Sequence, residues 1–74
     1  MIIKCIFSDE MIRMPVIYEL GKQFSVITNI RQAEVTPELG WVILDITGEL
    51  QEVDSGIEWL KKVGVTVEIL KEED

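Results

Sequence analysis

The chain has 74 residues, 7 basic and 14 acidic side chains, no histidine and one cysteine, with 47% hydrophobic residues and a mean hydropathy of +0.22. That length holds one two-layer core and leaves no room for a separate catalytic lobe, so residues 1–74 read as a single domain. Dispersed basic residues in a chain of net charge −7 argue against nucleic-acid binding, and Cys5 alone allows no intrachain disulfide.

Ile2 to Phe7 is a six-residue apolar, β-branched run stopped by Ser8-Asp9-Glu10, which predicts a first strand. It is too short to span a membrane and lacks the basic flank of a signal peptide, so a cytoplasmic protein without membrane insertion is expected. Pro15 suits a first helical turn, and Val16, Ile17, Leu20 and Phe24 follow at helical spacing, predicting a helix over Met14 to Gln23. Ser25 to Val35 reads as a long strand. Thr36-Pro37-Glu38-Leu39-Gly40 is a turn, and Trp41 to Thr47 returns as the second arm of an antiparallel hairpin. Val53, Ile57 and Leu60 mark a helix over Leu50 to Val63, with Lys61 and Lys62 in its last turn and Gly64 beyond it. Val65 to Leu70 alternates as the last strand, and Glu72-Glu73-Asp74 reads as a solvated end.

The order β-α-β-β-α-β predicts an α+β, ferredoxin-like sandwich, with a four-stranded antiparallel sheet and two helices on one face. Right-handed crossovers put the first and third strands at the centre. Strict alternation assigns Ile3, Cys5, Phe7, Val26, Ile30, Val42, Leu44, Ile46, Val65, Val67 and Ile69 to the face beneath the helices. The opposite face receives Ile2, Lys4, Ile6, Ile27, Asn29, Arg31, Ala33, Val35, Trp41, Ile43, Asp45, Thr66 and Glu68. A face half apolar is unusual for a wet sheet, so Ile2, Ile6, Val35, Trp41 and Ile43 are candidate interface residues and a homodimer is expected.

Enzyme chemistry finds little here: no Ser-His-Asp or Cys-His set, no phosphate loop and no metal-ligand cluster, so neither catalytic residues, metal nor cofactor are expected. Asp45 lies in an apolar strand, where pairing with Arg31 or Lys4 is the expected resolution. Asn29 is a poor strand former whose amide suits a small zwitterion; a hydrogen bond to an edge neighbour or a β-bulge is the plainer explanation.

The stretch Met14-Pro15-Val16-Ile17-Tyr18-Glu19-Leu20-Gly21-Lys22-Gln23-Phe24, then Asn29-Ile30, then Gly40-Trp41 to Thr47-Gly48, Ile57-Glu58-Trp59-Leu60 and Gly64-Val65, resembles the NIL domain over nearly the whole chain. That resemblance implies the same ferredoxin-like, ACT-like fold. It also implies a regulatory domain of the kind found at the C-terminus of ATPase subunits in methionine-uptake ABC transporters, where pairs bind methionine, attached to ferredoxin modules, or standing alone. By the same resemblance Asn29 matches the asparagine associated with the amino-acid ligand, Ile27 and Ile30 match its wall, and Arg31 stands where the name motif carries leucine. The Thr36–Gly40 turn is shorter than in the transporter subunits. The implied partners are a methionine-like amino acid and a transporter or ferredoxin protein; a ligand-free interaction module is the alternative.

Overall fold

The computed structural model describes residues 1–12 and 14–72, so Glu73 and Asp74 of the expected solvated end lie outside the described residues. Strand β1 (Ile2–Phe7) has the predicted bounds, and its alternation decides its place. Ile3, Cys5 and Phe7 are buried while Ile2, Lys4 and Ile6 are half-buried, as a strand covered on one face requires. It pairs antiparallel with β3 (Gly40–Gly48) on one side, through Cys5 opposite Val42, and with β4 (Thr66–Lys71) on the other, through Cys5 opposite Val67. Strand β2 (Val26–Val35) pairs with β3, giving the order β2-β3-β1-β4 expected from the crossover rule.

The sequence punctuation Ser8-Asp9-Glu10 proves to start a short helix, α1 (Asp9–Ile12), rather than a plain loop. Ser8 Oγ accepts a hydrogen bond from the Met11 N–H at 3.5 Å, and two acids occupy the first turn, the usual chemistry of a helix start. Helix α2 runs Val16–Gln23, two residues shorter than expected at its start, because Pro15 stands at the N-cap and its carbonyl accepts the Glu19 N–H at 2.9 Å. Helix α3 (Leu50–Val63) has the predicted bounds. It ends because Gly64 adopts φ 110°, which lets the Gly64 N–H reach Lys61 O at 3.2 Å and the Val65 N–H reach Leu60 O at 2.9 Å.

One core forms between the sheet and the helices. Ile3, Cys5, Leu44 and Ile46 from the central strands meet Leu20 of α2 and Leu60 of α3, all fully buried. Burying a side chain of this size stabilises by about 1.5–3 kcal/mol, so these few positions dominate the stability of so small a domain. Gly56 lets α3 approach α2: a Cβ there would stand 2.9 Å from Leu20 Cδ1. The Glu52 carboxylate of α3 also accepts the Ser25 N–H at 2.8 Å, fixing where β2 begins. The expected ferredoxin-like α+β sandwich is therefore present, with α1 added.

Two core assignments fail for one reason. Ile30 and Ile69 do turn toward the helix side, but both lie on edge strands beyond the helices' cover and are 55% and 48% exposed.

Candidate functional site

A β-bulge in β2 organises the polar part of the sheet. Ile30 stands opposite Leu44 and Gln32 opposite the next residue back, Ile43, so Arg31 is the extra residue. Its guanidinium Nη2 donates to Asp45 Oδ2 at 3.1 Å, the pairing expected for an acid in an apolar strand. Asn29 lies directly opposite Asp45, so an exposed amide, a half-exposed guanidinium and a carboxylate share one stretch of β2 and β3. Asp45 Oδ1 is enclosed, with no hydrogen-bond partner among the described residues; the Met1 ammonium stands 3.9 Å away. Of the two apolar neighbours expected to form a single wall, Ile27 lies on the face of Asn29 and is 74% exposed, whereas Ile30 points to the other face. The structure therefore brings Asn29, Arg31 and Ile27 together and leaves Ile30 apart.

The bulge also changes what the open face contains. Beyond it the alternation shifts by one, so Gln32 opposite Ile43 and Glu34 opposite Trp41 face outward, while Ala33 and Val35 turn to the helix side. Val35 and Ala33 were expected on the open face, and both are corrected. Ile2, Ile6, Trp41 and Ile43 remain on that face, half-buried by one another and by polar neighbours. Lys4 Nζ lies 5.0 Å from the centroid of the Trp41 ring, a cation–π contact that covers part of the indole.

Sequence reasoning did not find an apolar cleft beside the sheet. A cleft of about 240 Å³ opens at the end of the sheet, lined by Phe7, Met11, Met14, Pro15, Val16, Ile17, Tyr18, Val35, Gly40, Trp41 and Val42. None of these side chains is charged, so the cleft can take an apolar group but offers a zwitterion no ionic partner among the described residues. Its lining comes from four separate segments, which no local spacing connects. The available signal was Met11 and Met14, apolar residues beside Pro15 that belong to no helical stripe.

Cys5 lies in the core, where desolvation lifts its thiol from 9.0 to about 11 and leaves it a poor nucleophile. Among the described residues no helix is long and apolar enough to cross a membrane, and no group of three acids, cysteines or histidines is gathered to hold a metal.

Comparison with known proteins bears on this arrangement at the level of the whole domain. The model of the NIL domain family matches residues 1–69. A crystal structure of the C-terminal domain of an ABC transporter, ATP-binding protein, from Enterococcus faecalis superposes with a TM-score of 0.82 at 25% sequence identity, covering 97% of this chain and 84% of that one. No curated protein matches the sequence.

Proposed function

The chain belongs to the NIL domain family, and on that premise we propose that it is a regulatory domain that senses a small amino acid of the methionine type as a pair of identical chains. The similar structure from Enterococcus faecalis is a domain of an ABC transporter ATP-binding protein, which supports a transporter as the system regulated; a ferredoxin partner is the other candidate. The reading assigns the domain no catalytic step.

The observation that carries it is the placement of Asn29, exposed on β2 opposite Asp45 and two residues from the bulged Arg31. A free amino acid presents a carboxylate and an ammonium on the same carbon. Arg31 has five donors and spends one of those hydrogens on Asp45, so its fork can still take a carboxylate. The Asn29 amide oxygen can accept from the ammonium, and Ile27 on the same face offers apolar surface to the side chain.

Calorimetry with methionine, homocysteine and cysteine tests this reading. Saturable binding that disappears in Asn29→Ala, with the far-ultraviolet circular dichroism unchanged, is the expected result; heats no larger than dilution for all three would sink it.

A second reading, a ligand-free interaction module, is favoured by a different observation. The uncharged cleft beside Met14 and Tyr18 is separate from Asn29 and suits an apolar side chain of another protein better than a free amino acid. Binding that survives Asn29→Ala and Arg31→Ala but is lost on filling the cleft would favour it.

A further inference from the structure

We propose that Asp45 is the ammonium receptor of the Asn29 region, so that the Arg31–Asp45 pair selects ligands carrying both charges of a free α-amino acid. The inference rests on the reading that this region takes an amino acid, and it names the groups that read the two charges. It starts from an ion pair with hydrogen-bonding capacity left over. Arginine and a carboxylate can meet through two parallel hydrogen bonds, yet here one joins them, from Arg31 Nη2 to Asp45 Oδ2 at 3.1 Å. Oδ2 therefore keeps a lone pair, and the half-exposed guanidinium keeps the rest of its donors. Oδ1 is enclosed on the inner side, where the Met1 ammonium stands 3.9 Å away and donates instead to Ile46 O at 3.0 Å. A ligand contact to Asp45 thus falls to Oδ2, on the side that Arg31 reaches.

The ligand class follows from the order of these groups. Asn29 stands directly opposite Asp45, and cross-strand partners put their Cβ atoms about 4.5–5.5 Å apart on one face. An ammonium laid between them can donate to the Asn29 amide oxygen and to Oδ2 together, while the carboxylate on the same carbon lies against Arg31. The ligand's charges then run antiparallel to those of the pair, and no charge faces its like. A ligand lacking the ammonium sets its carboxylate beside Asp45 uncompensated. One lacking the carboxylate sets its ammonium beside Arg31. Asn29 does not supply this discrimination, because a neutral amide offers both donors and an acceptor.

The test is calorimetry of the 74-residue chain with methionine, its 2-hydroxy analogue, which lacks the ammonium, and its methyl ester, which lacks the carboxylate charge. The wild type is expected to bind methionine about tenfold or more tightly than either analogue. Asp45→Asn, of the same shape, should weaken methionine by about tenfold or more and leave the hydroxy analogue no weaker. Arg31→Leu should weaken methionine similarly and leave the methyl ester no weaker. A merely structural ion pair does not produce this exchange of ligand preference. Where circular dichroism shows that a variant is unfolded, the three ligands on the wild type decide the question. A hydroxy analogue that binds the wild type as well as methionine does would overturn the receptor role while leaving amino-acid sensing. So would an Asp45→Asn variant that tightens methionine, or one that weakens methionine and the hydroxy analogue by the same factor. A wild type that does not bind methionine would overturn this inference, and the sensing reading with it if homocysteine and cysteine also fail.

Discussion

Arg31 Nη2 and Asp45 Oδ2 lie 3.1 Å apart, and the arginine that reaches across is the one residue of β2 without an opposite number in β3. The bulge and the ion pair are thus one feature: it sets the polarity of the Asn29 region, and the extra residue is why Gln32 to Val35 face opposite to a strict alternation counted through Arg31.

Removing that feature should cost little stability. With Arg31 deleted, Ile30 opposite Leu44 and Gln32 opposite Ile43 become consecutive pairs of an unbroken ladder, so no side chain changes face. The exposed ion pair lost with it is worth about 0–1 kcal/mol. Urea denaturation of the deletion variant is expected to show a loss within about that range, and cross-strand NOEs should retain both pairs. Loss of either pair would show that the bulge sets the register rather than accommodates it.

Two glycines in helices should respond oppositely to alanine. At Gly21 a Cβ meets nothing within 4 Å, so Gly21→Ala gains about 1 kcal/mol of helix propensity. At Gly56 the same gain is opposed by a contact of 2.9 Å with Leu20 Cδ1 in the filled core, where overpacking costs about 1–3 kcal/mol. Thermal unfolding should therefore rank Gly21→Ala above wild type and Gly56→Ala below it. The double variant Gly56→Ala with Leu20→Val, which shortens the obstructing side chain, should reduce the interference between positions 20 and 56 relative to the sum of the single changes.

The buried thiol gives a pH signature. Burial lifts Cys5 to about 11 from 9.0, so between those values the unfolded chain releases a proton that the folded chain keeps. Its contribution is complete below about pH 9 and is lost as pH rises through about 11. The stability advantage of wild type over Cys5→Ala should accordingly narrow by on the order of 2 kcal/mol between about pH 8 and about pH 11. A maleimide should leave the native chain unlabelled at neutral pH and label it in urea.

Much of this architecture was legible because local patterns were unopposed. Ile2 to Phe7 alternates cleanly between two faces, and the Lys61-Lys62-Val63-Gly64 end of α3 combines a basic last turn with a glycine stop. The Arg31–Asp45 pair was legible because a carboxylate in an apolar strand needs a partner. The bulge was not: no glycine or proline marks Arg31, and periodicity carried Ala33 and Val35 onto the wrong face. Ile30 and Ile69 were misplaced because alternation reports which way a residue points, whereas cover depends on how far the helices extend across the sheet. The cleft was invisible for a further reason, since Phe7, Tyr18 and Val35 meet only in three dimensions.

The most direct test of amino-acid sensing at the Asn29 region is a titration of the isotope-labelled chain with methionine, followed by amide and side-chain nitrogen–proton correlation spectra. The account predicts saturable shifts of the Asn29 side-chain amide, the Arg31 guanidinium and the Asp45 backbone amide, with Phe7, Tyr18 and Gly40 at the cleft unmoved. Shifts confined to the cleft, or none at all, would contradict it.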